Sequence, residues 1–279
     1  MSQTAFAESP PRHDSRQATA EPDGVEPRSD AGRRVSEQTY WETYYRHPDF
    51  HYEWSNGVLE QKPVSDFETY CIYAWLLRLL DSFLRARPIA KTVGLDMGFR
   101  LALPTGVVIR KPDLAVVRND NPSPLLPKDE SYRGVYDLCI EALSTSKPEH
   151  IRRDTVRKHR EYAAGGVPEY FILHADPAYQ AFLGRTDAGL YTPIPPRDGV
   201  IRSRVLPGFQ FRLDDLLTQP SDEHLRDDPI YAGFVLAGWR ADRERAETAQ
   251  RQADAEHRRA EYLAARLRAM GLDPDDQSP

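Results

Sequence analysis

The chain of 279 residues is long enough for one well-packed domain with appendages, or for two small domains, and its 40% hydrophobic and 29% charged residues are an ordinary globular balance. A formal net charge of −6 removes any long-range attraction for polyanions, so nucleic acid would have to be held by a local basic patch. Two cysteines in apolar stretches, eight scattered histidines and no apolar run near the roughly 20 residues of a membrane span exclude a disulfide framework, a structural zinc site and a transmembrane helix.

Residues 1–37 are rich in Ser, Pro, Arg, Asp and Glu without any period, and are expected to be disordered. Arg33-Arg34 is followed by Val35-Ser36-Glu37-Gln38 rather than an apolar core, so no export signal is read and a cytoplasmic location is expected. A folded domain is expected over 38–218. Tyr52-Glu53-Trp54, a turn at Ser55-Asn56-Gly57 and Val58-Leu59-Glu60 form a tight hairpin, with Asn-Gly supplying positive φ angles. Ser65 with Glu68 reads as a capping box for an amphipathic helix of about 65–86, whose Tyr70, Ile72, Tyr73, Leu76, Leu77, Leu80 and Leu84 recur at threes and fours.

Strand-like runs follow at 97–103 and 107–109, the latter resuming at 114–117, with a turn at Pro104-Thr105-Gly106. A Pro-rich loop over 118–134 leads to a strand at 136–143. A helix of about 149–164 stops at Gly165-Gly166, and a strand at 169–173 comes next. Further strands at 180–191 and 199–211 read as a terminal meander. The expected fold is a mixed α/β (α+β) sheet with an α-β-β-β-α-β core, a hairpin before it and strands after it. Residues 219–234 are expected as a linker, 235–272 as a helical tail and 273–279 as a disordered end. In the tail Ala246, Ala249, Ala253, Glu256, Ala260, Leu263, Leu267 and Met270 keep a heptad seam. Two readings stand: a solvated helix held by ion pairs four residues apart, or a short coil pairing two copies into a homodimer.

Three residues break local rules. Glu141 sits in Leu138-Cys139-Ile140-Glu141-Ala142-Leu143, a run apolar on both faces, where an unpaired carboxylate would cost several kcal/mol or take up a proton. A neighbouring cation removes the problem; a strand-end carboxylate bonded to backbone or an arginine is the alternative. Asp113 follows Pro112, a common turn element by itself, but beside Glu141 it offers a second hard oxygen donor of the kind Mg²⁺ or Mn²⁺ prefers. Lys158 shares a helix face with Ile151, Thr155 and Tyr162, so it points toward the sheet unless its head snorkels to water. Around it Lys147, Arg152, Arg153, Arg157 and Arg160, diluted by Glu149 and Asp154, form a basic stretch where phosphate would lie.

Pro112-Asp113 and Glu141-Ala142-Leu143 within that element order resemble the PD-(D/E)XK nuclease superfamily. With Tyr52-Glu53 and Gly57, Glu141 through Ser146, Lys158 with Tyr162, Gly166-Val167-Pro168-Glu169-Tyr170, and Leu206-Pro207-Gly208, the chain resembles more narrowly the Uma-two family of restriction endonuclease-like proteins. The likeness covers about 40–218, and the tail at 263–274 with less weight. The superfamily lysine stands two residues after the glutamate, where this chain has Leu143; in the Uma-two pattern it has moved to the next helix, which matches Lys158. Relatives often carry a histidine near the position of Thr69, so a contribution from the first helix is left open.

The resemblance implies a Mg²⁺- or Mn²⁺-dependent endonuclease acting on nucleic acid, with DNA as the expected partner. Asp113, Glu141 and the main-chain carbonyl of Ala142 would be metal ligands, and Lys158 would orient the attacking water or offset oxyanion charge. Glu53 and Tyr162 would support the site, and Lys147, Arg152, Arg153 and Arg157 would contact phosphates. Two rivals remain: a nuclease-fold binding module working through its C-terminal coil, and a metal-independent acid/base hydrolase using Asp113 and Glu141.

Overall fold

The computed structural model describes residues 27–271. Residues 1–26, which hold most of the segment expected to be disordered, and the expected disordered end at 273–279 lie outside the described residues. Residues 32–35, inside that expected segment, instead run beside the hairpin. Gly32 N–H donates to Leu59 O, Leu59 N–H to Arg33 O and Val35 N–H to Gly57 O, at 2.8, 3.0 and 2.8 Å. Trp54 Nε1–H adds a bond to Val35 O at 3.0 Å. On the 32–35 side these contacts are made by backbone groups, so the side chains there gave no sign of them.

A short helix, α1 (Glu37–Thr39), widens into a π-helical turn at Tyr40–Tyr44 that buries Tyr40 and Tyr44. The hairpin of β1 (Tyr52–Ser55) and β2 (Val58–Gln61) turns at Asn56 and Gly57, with φ of 49° and 89°. That turn fixes a register in which Glu53 lies directly opposite Glu60.

The first long helix is α2 (Phe67–Ala86). Its cap is Asp66, whose carboxylate accepts from Thr69 N–H at 2.7 Å. Ser65, expected as the cap, instead donates from Oγ to Ala142 O at 2.6 Å, tying the helix entry to the end of a central strand. Ile72, Leu76, Leu79, Leu80 and Phe83 form the buried stripe, whereas Tyr70 stands 56% exposed.

Strands β3 (Ala90–Val93), β4 (Phe99–Leu103), β5 (Gly106–Arg110), β6 (Leu114–Arg118) and β7 (Leu138–Ala142) follow. Next come α3 (Pro148–Arg152), a π-helical turn at Arg153–Lys158, α4 (His159–Gly165), which ends on Gly166 at φ 91°, and β8 (Glu169–Leu173). The chain continues through β9 (Ala181–Arg185), β10 (Tyr191–Pro193), β11 (Val200–Arg202) and β12 (Gln210–Arg212). It closes with α5 (Leu213–Thr218), α6 (Asp222–Leu225) and α7 (Ala237–Ala269).

One sheet has the order β2-β1-β5-β4, a second the order β10-β9-β8-β7-β6-β3, and β11-β12 form a small third. In the large sheet β7 and β8 are parallel, joined through α3 and α4; the other pairs are antiparallel. The run expected as one interrupted strand over 107–117 is therefore divided between two sheets. Lys111-Pro112-Asp113 carries the chain from one to the other, and Pro112 has no amide to lend to either ladder. The expected meander is divided too: β9 and β10 extend the large sheet, while β11 and β12 pair with each other.

One face of the large sheet packs Ile140 and Phe171 against Leu76 and Leu80 of α2. The other packs Cys139 and Tyr170 against Tyr162, Phe99 and Leu101. The stretch 219–234, read as a linker, contributes Leu225, Tyr231 and Phe234 to the core of α2, and Trp75 Nε1–H donates to Pro220 O at 3.0 Å. Along α7 the seam residues Leu263, Leu267 and Met270 are exposed. Among the described residues no helix is long and apolar enough to cross a membrane.

Because Asp66 rather than Ser65 caps α2, Asp66→Ala should cost about 1 kcal/mol of folding stability. A lower urea midpoint with an unchanged slope is the expected reading; an unmoved midpoint would return the cap to another residue.

Candidate active site

The crossover between the sheets brings Asp113 to the end of β7. Its Oδ2 accepts from Ala142 N–H at 2.8 Å, so the carboxylate sits beside the residue that follows Glu141. Its Oδ1 lies 2.9 Å from Nζ of Lys62, which also donates to Asp96 Oδ1 at 2.7 Å and to Lys111 O at 2.8 Å. Asp113 keeps 28% of its side chain exposed, whereas Glu141 keeps 2%. Glu141 Oε1 accepts from the Tyr162 hydroxyl at 2.8 Å and lies 2.9 Å from Lys158 Nζ. Both of these contacts fall on Oε1.

Lys158 is fully buried, with Glu53 Oε1 at 3.1 Å and Asp154 Oδ1 at 3.5 Å in addition to Glu141. The helix face expected from an α-helical period, Ile151, Thr155, Lys158 and Tyr162, is not the one found. Ile151 and Thr155 are only half-buried, and Asp154, Lys158 and Tyr162 face inward. The π turn accommodates one extra residue, and residues four apart then come into line.

Below Lys158 lies a dense set of charges. Glu53 is wholly buried; its Oε1 accepts from Lys111 N–H at 2.8 Å and its Oε2 lies 3.1 Å from Arg110 Nη1. Arg110, also fully buried, contacts Glu60 at 2.6 Å and makes a two-pronged pair with Glu161 at 2.7 and 2.8 Å. Burial pushes the Glu53 carboxyl upward, but Lys158 and Arg110 outweigh it and hold Glu53 far below the usual carboxylate range. Glu141 goes the other way: burial, with Asp113, Asp154 and Glu53 nearby, raises its carboxyl to about 8 against the pull of Lys158.

Of the basic residues expected to meet phosphate, Lys147, Arg153 and Arg157 line a cleft of about 320 Å³ together with Glu60, Lys62 and His150. Arg153 is buried, bonded to Asp154 at 3.0 Å and to Gln61 O at 3.1 Å, so its charge is committed inside the protein. Arg157 pairs with Glu60. Arg152 is exposed and lies outside the cleft lining.

The sequence reading missed Lys62, Arg110, Glu60, Asp154 and Glu161. A signal for Arg110 was present: the Asn56-Gly57 turn sets Glu53 opposite Glu60, and facing carboxylates on a hairpin need a cation between them. Lys62 had no such signal, because its partner Asp113 is distant in sequence and lies on the crossover between the two sheets.

A family model described as "Putative restriction endonuclease" matches residues 38–216. The chain belongs to the Uma2 family. A solved structure described as a "putative nuclease belonging to DUF820" from Anabaena variabilis shares the fold, with a TM-score of 0.53 and 14% identity, over 66% of this chain and 98% of that one. No curated protein matches the chain. The Uma2 match runs from α1 through the hairpin, both large sheets and α3–α4, and so contains every charged group described above.

Two carboxylates and the Ala142 carbonyl give hard oxygen donors suited to a small divalent cation. Among the described residues no cluster of three or more His, Cys, Asp or Glu is poised for metal, so protein ligation would rest on this pair and the carbonyl. Burial is the largest cause of the raised Glu141 carboxyl, and the neighbouring acids Asp113, Asp154 and Glu53 add negative charge around it.

Two outcomes follow. Arg110→Met leaves Glu53, Glu60 and Glu161 without their common cation and should cost roughly 3–5 kcal/mol in urea unfolding; a loss below about 1 kcal/mol would mean that the network relaxes around the gap. For Glu141, the unfolded carboxyl titrates near 4.5 and the folded one near 8. Between those values the folded chain keeps a proton that the unfolded chain has lost, so stability falls as pH rises and levels off above the window. Glu141→Gln should flatten that fall in melting temperature, and an unaltered slope would assign it to another group.

Proposed function

We propose that the chain hydrolyses nucleic-acid phosphodiester bonds, DNA first among them, at the junction of Asp113 and Glu141. The observation that supports this is the bond from Ala142 N–H to Asp113 Oδ2, which sets Asp113 next to the residue that follows Glu141, while its partner Lys62 lines the cleft. Membership of the Uma2 family supports the same reading.

Asp113, Glu141 and the Ala142 carbonyl would hold Mg²⁺ or Mn²⁺, which supplies the positive charge that activates a water nucleophile and offsets charge on the phosphate. Tyr162 and Lys158 fix Oε1 of Glu141, leaving Oε2 as the available donor. Lys158 is enclosed by Glu141, Glu53 and Asp154, so in this reading it acts by holding charge and position beneath the acids. Glu53 acts through Lys158 and is a positioning residue. Lys147 and Arg157, in the cleft wall, are the candidates for phosphate contact. Ser65 braces the Ala142 carbonyl from the entry of α2.

Cleavage of plasmid, single-stranded DNA and RNA, each with Mg²⁺, Mn²⁺ or chelator, tests the activity. Cleavage that needs the cation and is lost in Asp113→Ala, Glu141→Ala and Lys158→Ala is expected. Activity indifferent to chelator would instead support the acid/base hydrolase. A separate readout is Mn²⁺ calorimetry: a proton on Glu141 competes with the cation, so affinity should rise about tenfold per pH unit up to about pH 8 and then level. Glu141→Gln should abolish both the binding and its pH slope. Unchanged Mn²⁺ binding in that variant would remove Glu141 from the ligand set.

A further inference from the structure

The first turn of α2 leaves two aromatic rings in water. Phe67 is 76% exposed and Tyr70 56%, and Val64, one turn earlier, is 88% exposed. The two rings stack on each other, with centroids 6.2 Å and planes 28° apart. Three residues further on, the half-buried Tyr73 donates from its hydroxyl to Asp113 O at 3.3 Å. Residues spaced by three lie on one side of a helix, so Phe67, Tyr70 and Tyr73 make an aromatic track ending at the main-chain carbonyl of Asp113. The chain leading into the track passes through Lys62 and Pro63, both in the wall of the cleft.

We infer that this track is a stacking platform for the bases of a single-stranded polynucleotide whose phosphates follow the cleft toward Asp113. The inference rests on the phosphodiesterase reading and adds a substrate class to it. In a duplex the faces of the bases are hidden by their neighbours, whereas an unpaired strand offers them to exposed rings. Every base has such a face, so the platform tolerates any sequence. The cations of the cleft favour a polyanion over an apolar protein segment: Lys147 lines it together with Lys62 and Arg157, which also pair with Asp113 and Glu60. Of the acids on this turn, Asp66 is engaged in capping α2, and Glu68 stands exposed between the rings in sequence.

The test is binding of the full chain, in chelator, to fluorescently labelled single-stranded DNA, single-stranded RNA and duplex DNA. Both single strands should bind more tightly than duplex, and a preference between them would report the sugar. The double variant Phe67→Ala, Tyr70→Ala should weaken single-strand binding by about tenfold or more, with its melting temperature and duplex binding unchanged. Phe67→Trp should retain the affinity, and Glu68→Gln should raise it. Equal binding of single strand and duplex, wild-type affinity in the double variant, or ring-dependent sedimentation with anionic lipid vesicles would each overturn the platform. The two readings fail separately. Ring-dependent single-strand binding without any cation-dependent cleavage would sink the phosphodiesterase and keep the platform. Cleavage with an unchanged KM in the double variant would sink the platform alone.

Discussion

The buried anion of Glu53 is the constraint around which the charged half of the domain is built. It arises on the hairpin, receives Lys111 N–H from the crossover, Arg110 from β5 and Lys158 from the helical segment, and so joins elements from three parts of the chain. A carboxylate removed from water survives only with such partners, and each partner removed from water needs acids of its own. Arg110 takes Glu60 and Glu161, and Lys158 takes Glu141 and Asp154. The position of Glu141 is thereby held by groups lying behind it, whereas Asp113 is held by Lys62 and the Ala142 amide.

The same network explains the opposed titration of two neighbouring acids. Glu53 has cations on both oxygens and a main-chain donor as well, and stays ionised. Glu141 shares one ammonium with Glu53 and Asp154 and has Asp113 close by, so its proton is held more tightly. Environments that drive similar groups apart are a common property of sites that bind cations or move protons.

Much of this was legible in the sequence. The hairpin followed from Asn56-Gly57, the central strand from its unbroken apolar run, and Glu141 from being the one charge within that run. The outline of the mixed fold followed from the order of periodic segments. What could not be read depended on contacts between distant segments. The division of 107–117 between two sheets needs tertiary pairing, and residues 32–35 meet the hairpin through backbone hydrogen bonds that carry no sequence pattern. Ser65 was read as the cap of α2, but its hydroxyl is taken by the Ala142 carbonyl from a distant strand, and Asp66 caps the helix instead.

The π turn at Arg153–Lys158 has its own consequence. A π turn is a locally unfavourable way to wind a chain, retained here because it aligns Asp154, Lys158 and Tyr162. Winding the same residues as an ordinary α-helix would rotate everything beyond the turn by about 100°. The segment's function is thus encoded in its winding as much as in its side chains. A version of equal length wound only as α-helix would form a sounder helix while carrying its lysine to the wrong side.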